Sequence, residues 1–246
     1  MRDAILVETE DLSSRRWVFD GYLSPVLYEY RNELDLLYKK QSAKYFLDYS
    51  ATGTGAIIFN GSFYYHRYGS QNIVRYDLNS TEEVQRPLPN VAYQVCIMTP
   101  DIQHCANVRY LYGLPHNFVD FAADENGIWV VYSNTANDSL TAAKIQVETL
   151  EVIHQWFIDI PKNVTIANTF IMCGILYGLK SATNYDTEIN FAFDLYNDEF
   201  INITVNFRNP FQQTTMLDYN PVDRRLYYFD HGNLLTVPVR TKGIDD

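Results

Sequence analysis

The stretch Val119-Asp120-Phe121-Ala122-Ala123-Asp124-Glu125-Asn126-Gly127-Ile128-Trp129-Val130-Val131-Tyr132 reads as a β-hairpin. An Asn-Gly pair between two runs rich in apolar and aromatic residues is the strongest short-range hairpin signal. Two later stretches follow the same plan. Ala167-Asn168-Thr169-Phe170-Ile171-Met172-Cys173-Gly174 turns into Ile175-Leu176-Tyr177-Gly178-Leu179, and Leu217-Asp218-Tyr219-Asn220-Pro221 leads into Leu226-Tyr227-Tyr228-Phe229. Each first strand carries a side-chain oxygen at nearly the same place, namely Asp120, Asn168 and Asp218. In a radial assembly of such units the three would point at one another. Two carboxylates and an amide converging on one point make a site for a hard cation.

Outward from these hairpins the chain repeats. Asn60-Gly61 separates Ala56-Ile57-Ile58-Phe59 from Ser62-Phe63-Tyr64-Tyr65, and the reading sets Asn126-Gly127 and Cys173-Gly174 in equivalent places, with Asn220-Pro221-Val222-Asp223 in the last copy. Successive copies then begin 66, 47 and 47 residues apart. That spacing is near the roughly 40–50 residues of a four-stranded propeller blade. Third strands are expected at Ile73-Val74-Arg75-Tyr76, Ala142-Ala143-Lys144-Ile145, Ile189-Asn190-Phe191-Ala192-Phe193 and Leu234-Leu235-Thr236-Val237. Fourth strands are visible in two copies, as Val152-Ile153-His154-Gln155-Trp156-Phe157 and Phe200-Ile201-Asn202-Ile203-Thr204-Val205. The long first interval holds an insertion over residues 94–117. Arg16-Trp17-Val18-Phe19 and Val26-Leu27-Tyr28-Glu29-Tyr30 supply a fifth blade, expected to be completed from both chain ends. The expected fold is therefore all-β, a five-bladed β-propeller forming one domain over residues 1–246. An open β-sandwich with accidentally similar hairpins is the alternative.

Composition agrees with strands and narrows the function. Aromatic residues make up 15% of the chain, 20 of them Tyr, and aromatics favour the pleated sheet surface. The formal net charge of −11 argues against nucleic acid as a partner, since that attraction needs clustered Lys and Arg. No run of about 18 apolar residues is present, so no spanning helix and no membrane insertion are expected. The first residues, Met-Arg-Asp-Ala-Ile-Leu-Val, are too short an apolar run for a signal peptide. Asn-x-Ser/Thr nevertheless occurs at Asn60, Asn79, Asn137, Asn163 and Asn202, more often than chance gives, which points to the secretory route. Cys96 and Cys105 bracket a short loop and could pair in an oxidising compartment. Cys173 is then free or paired with a cysteine upstream.

Among chemistries, a hard cation suits the carboxylate-amide set, although Asp120 and Asp218 could simply cap turns. The five histidines are scattered and lack the spacing of a zinc site. A propeller glycoside hydrolase using Asp120 and Asp218 across a sugar is the rival class. Nothing resembles a nucleophile elbow or a phosphate loop. Arg109-Tyr110-Leu111-Tyr112 could supply contact anchors, or pack the insertion against its own blade.

The quoted segments resemble signature segments of the olfactomedin domain, and Gly55-Ala56-Ile57-Ile58-Phe59-Asn60-Gly61-Ser62-Phe63-Tyr64-Tyr65 is a further match. The matches run over about 200 residues in the family's order, with the look of its gliomedin and colmedin type members. The resemblance implies a five-bladed propeller in an extracellular, non-enzymatic protein that binds a cell-surface adhesion receptor or matrix protein. It also implies Ca2+ in the central channel, held by the side chains of Asp120, Asn168 and Asp218 and the carbonyls of Thr169 and Leu217. Some relatives hold Na+ beside it, which here would touch Asp120, Asp218 and the Phe121 carbonyl. Oligomerisation is implied through a stalk upstream of this chain. The family's cysteine near the domain start, partner of the one matching Cys173, has no counterpart before Cys96. The N-terminal part of the family domain is accordingly expected to be missing here.

Overall fold

A computed structural model describes residues 4–7, 15–94, 96–98, 103–105, 110–137 and 139–239, with 4–7, 96–98 and 103–105 described by backbone alone. The described residues are almost all strand, turn and loop. A seven-stranded antiparallel sheet runs in chain order through β1 (Ala4–Val7), β2 (Arg16–Phe19), β3 (Leu23–Tyr30), β4 (Ala43–Phe59), β5 (Ser62–Arg67), β6 (Asn72–Asp77) and β7 (Glu83–Pro87). A short helix α1 (Glu33–Leu37) links β3 to β4. The insertion forms a two-stranded ladder, β8 (Cys96–Met98) and β9 (Gln103–Cys105), then a 3-10 turn at Leu111–Gly113. Next comes a four-stranded sheet of β10 (Val119–Asp124), β11 (Gly127–Ser133), β12 (Leu140–Ile145) and β13 (Val152–Ile158). The following sheet holds β14 (Asn168–Met172), β15 (Ile175–Leu179), β16 (Asp186–Asp194), β17 (Glu199–Phe200) and β18 (Val205–Arg208). The last holds β19 (Thr214–Asn220), β20 (Arg225–Asp230) and β21 (Asn233–Pro238).

The arrangement is a β-propeller. β10 and β19 each meet β4 and β14, and one another, at the centre. Apolar clusters fill the gaps between neighbouring strand groups. One packs Phe19 and Leu27 on Ile58 and Phe63, the next Ile57 and Tyr64 on Val119 and Phe121. Trp129 and Ala142 then meet Ile171 and Leu176, and Phe170 and Leu179 meet Leu217 and Leu226. The circuit returns to its start where Met216 and Phe229 pack on Val18 and Tyr30. The inner strands alternate their side chains between two neighbours, so their two faces are both apolar.

Three sequence expectations shift. The sheet expected to draw on both chain ends is filled, among the described residues, from β1 to β4 alone. β4 makes this possible because its 17 residues serve two strand groups. It changes direction at Gly53, whose φ of +83° only glycine adopts freely, and its pairing with β5 shifts register between Thr52 and Ile57. The strand expected over residues 200–205 is broken into β17 and β18. Phe193 pairs with Phe200 but Ile189 pairs with Val205, so one extra residue is accommodated as a bulge. Lastly, in the hairpin of β10 and β11 the turn residues are Glu125 and Asn126, closed by Asp124 opposite Gly127. The Asn-Gly pair therefore lies one residue out of register with Asn60-Gly61 and Cys173-Gly174, both of which have positive φ at each residue.

Candidate metal centre

The closing pairs of the four inner hairpins give a common ruler: Phe59 with Ser62, Asp124 with Gly127, Met172 with Ile175 and Asn220 with Arg225. Asp120 and Asn168 each lie four residues before the closing pair, but Asp218 lies two before. An even difference keeps Asp218 on the corresponding face of its strand. The last hairpin has a four-residue turn in place of two, which masks this offset in an alignment by turns. Phe121, Thr169 and Leu217 all lie three before the closing pair. Carbonyls along an edge strand point alternately towards and away from the partner strand, so those of Phe121 and Thr169 share one orientation within matching hairpins.

In β4 the position four before the closing pair is Gly55. A Cβ there would come within 2.5 Å of Asp120 Oδ1, 2.6 Å of Asp120 Cα and 2.6 Å of the Val119 carbonyl oxygen. The missing side chain of one inner strand is thus what admits the carboxylate of the next. Thr54 adds a tie across the centre, its hydroxyl donating to the Thr215 carbonyl on β19 at 2.7 Å.

Asp120, Asn168, Thr169, Leu217 and Phe121 are all buried, and Asp218 is half-buried. Desolvation pushes the Asp120 carboxyl up to about 8, opposed by the hydrogen bond from Tyr112. Desolvation and then the Asp120 charge push Asp218 well above the carboxylate range. Among the described residues no basic side chain figures among the groups acting on either one. Asn168 Oδ1 accepts from the Thr169 amide at 2.8 Å and keeps a second lone pair. Among the described residues no group of three or more His, Cys, Asp and Glu is placed for a metal. The donor set is instead two carboxylates, an amide and carbonyls, all hard oxygens, which fits calcium and not a transition metal.

Two features escaped sequence reading. Tyr112 belongs to the insertion, yet its hydroxyl reaches the centre, hydrogen-bonding the Thr169 hydroxyl. Tyr110 packs its ring on His116 and Phe118. Both tyrosines therefore pack inwards, and Arg109 lies outside the described residues. At the turn end of the inner strands, Asp124 accepts from Trp129 Nε1 at 2.8 Å and from the Gly174 amide at 2.7 Å. Glu125 accepts from the Tyr219 hydroxyl at 2.6 Å and from the Cys173 amide at 3.2 Å. Cys173 is an exposed free thiol, and Cys96 and Cys105 sit opposite one another in register, their side chains outside the described residues.

Comparison with known proteins bears on all of this. The chain is 31% identical over 216 residues to myocilin of Canis lupus familiaris, covering 87% of this chain and 42% of that protein. It is 32% identical over 189 residues to myocilin of Homo sapiens, covering 76% of this chain and 35% of that protein. The chain thus spans less than half the length of these relatives. Among solved structures it is similar to the β-propeller domain of Myceliophteria thermophila Cps50 (Swd1), with a TM-score of 0.48 and 10% identity over 96% of this chain and 83% of that one. It is also similar to Kluyveromyces lactis Hsv2, with a TM-score of 0.42 and 12% identity over 98% and 75%. The family profile of the olfactomedin-like domain matches residues 1–244, and the chain belongs to that family.

Proposed function

We propose that this chain is an extracellular, non-enzymatic protein-interaction domain, a five-bladed propeller built around a structural Ca2+. The observation that carries the reading is the pair of carboxylates, Asp120 buried and Asp218 half-buried, with no basic side chain among the described residues acting on either. Two such groups are costly to bury unless a cation joins them. Asp120, Asn168 and Asp218 would hold the ion by their side chains, and Thr169 and Leu217 by their carbonyls. A sodium ion beside it would take Asp120, Asp218 and the Phe121 carbonyl. The ion supplies positive charge that ties together the inner strands β10, β14 and β19; no chemistry is asked of it.

Five blades are supported by the five apolar clusters, each between successive strand groups. An extracellular setting is supported by the sequons, whose five asparagines are all exposed. No helix among the described residues is long and apolar enough to cross a membrane. The partner is a cell-surface adhesion receptor or matrix protein, with valency supplied by a stalk outside this chain. The test is elemental analysis with calorimetric titration. Binding of one calcium per chain, lost in Asp120→Asn, is expected. No bound ion, and the same melting temperature in chelator and in calcium, would sink the reading.

A further inference from the structure

The short helix α1 turns an apolar stripe to solvent. It is opened by Asn32, whose side chain accepts from the Asp35 amide at 2.9 Å, and closed by Tyr38, whose amide donates to the Leu34 carbonyl at 3.0 Å. Leu36 anchors it, packed against the cluster of Val18, Tyr30, Met216 and Phe229 where the last sheet meets the first. Leu34, Leu37 and Tyr38 follow the i, i+3 and i+4 spacing that sets side chains on one helix face. They are 67%, 71% and 77% exposed. A helix this short has no stability of its own and depends on its anchor. The fold gains little burial from the other three.

The start of β4 adds to this surface. Tyr45 and Leu47 enter the core of the first strand group, so Lys44 and Phe46 take the opposite face. Phe46 is 72% exposed, and Lys44 Nζ lies 5.5 Å from the ring centroid of Tyr28, which packs on the same cluster as Leu36. Positive charge gathers here too. Residues 31–44 hold Arg31, Lys39, Lys40 and Lys44 against Glu33 and Asp35, in a chain of formal charge −11. Both acids already have arginines, Asp35 paired with Arg31 at 2.9 Å and Glu33 with Arg16 at 2.8 Å. Lys39, Lys40 and Lys44 are exposed and make no ion pair among the described residues.

The sequons fall elsewhere. All five lie between residues 60 and 202, in the second, third and fourth strand groups, and none lies in residues 1–59 or 203–246. The first strand group and the last sheet pack on one another, so they form one sector that carbohydrate at these positions leaves open. Large apolar anchors beside a rim of charge are what a protein-binding surface needs. We propose that α1 and the start of β4 form the surface on which the partner docks, and that the partner is a protein presenting apolar side chains among carboxylates. The inference rests on the interaction-domain reading above and gives it a place. Leu34, Leu37, Tyr38 and Phe46 supply the contact area, and the three lysines steer and select an acidic partner.

The test selects phage-displayed random peptides on the whole chain and measures the recovered peptides by surface plasmon resonance. Peptides that carry Asp or Glu beside Leu, Phe or Trp are expected. Leu37→Ser with Tyr38→Ser, and separately Lys39→Glu with Lys40→Glu, should each weaken their binding by roughly tenfold or more. Both pairs change exposed side chains, so both variants should melt with the parent, and the charge pair decides alone if the apolar pair misfolds. Recovered peptides that are basic, or that bind both variants as tightly as the parent, overturn the docking surface and leave the interaction-domain reading standing. A library that yields no binder overturns both. Two other occupants are tested alongside, and either one overturns the acidic protein. A parent that sediments as a dimer, separated by Leu37→Ser with Tyr38→Ser, gives the face to a second copy. Retention on heparin that Lys39→Glu with Lys40→Glu abolishes, with no acidic peptide recovered, gives it to an acidic polysaccharide.

Discussion

Gly55 shows how much a single absent side chain can decide. The atoms a Cβ would meet include backbone of Val119 and Asp120, which cannot swing aside. Gly55→Ala should therefore push β4 away from β10 and destabilise the fold by about 3 kcal/mol, measured by chemical denaturation. A loss under ~0.5 kcal/mol would show that the two strands separate easily. His66 is a second residue with a readable consequence. It is fully enclosed, its Nε2 2.9 Å from the Ser70 carbonyl and its ring edge-on to Phe118. Desolvation pulls its pKa down to about 4, against the raising effect of the Ser70 carbonyl. A depressed folded-state pKa means the unfolded chain takes up the proton first. Stability from this site is then complete above the unfolded value near 6.5 and lost as pH falls towards 4. The difference amounts to about 3 kcal/mol. Denaturation of the parent and of His66→Gln at pH 7.5 and pH 4.5 should show the parent losing more on acidification, and parallel losses would contradict the assignment.

At the scale of elements, the turns bind the inner hairpins to one another. Asp124 Oδ1 accepts from the Asn126 amide and Trp129 Nε1, while Oδ2 accepts from Asn126 Nδ2 and the Gly174 amide of the next hairpin. Asp124→Asn would turn an NH2 towards donors. A loss of about 2–3 kcal/mol is expected, with faster hydrogen exchange at Gly174 than at the β14 amides. Unchanged exchange there would mean the turns are held by packing alone. These elements were unevenly legible. Apolar runs such as Ile128-Trp129-Val130-Val131-Tyr132 announced β11, because both faces of that strand are buried. Glu83–Pro87, an outer strand with mostly polar residues, gave no such signal and passed unseen as β7. Composition cannot report a strand whose exposed face carries no apolar residue. The site divides the same way. Asp120 and Asn168 were legible because their hairpins are true register copies. The offset of Asp218 was hidden by a longer turn, and Tyr112 was invisible because nothing local to residues 110–113 says where its hydroxyl ends.

At the scale of the molecule, the centre sets two opposing demands on stability. Without an ion, ionising the two carboxyls is opposed by desolvation and, at Asp218, by the Asp120 charge. With the proposed ion, the same pair and Asn168 would hold three inner strands to one point. Replacing one carboxylate by an amide should therefore change stability with opposite signs in the two conditions. In chelator, Asp218→Asn removes the repulsion and keeps the shape, so it should melt above the parent. In calcium the parent gains by linkage, about 2.7 kcal/mol at a hundredfold excess over its dissociation constant. For a chain of this length that is a rise of roughly 5–10 °C. Asp218→Asn should gain little and melt below the parent. The crossing of the two melting curves is the diagnostic, since a residue that merely caps the end of β19 would lose stability in both conditions. A variant that melts below the parent with and without calcium would return Asp218 to that structural role.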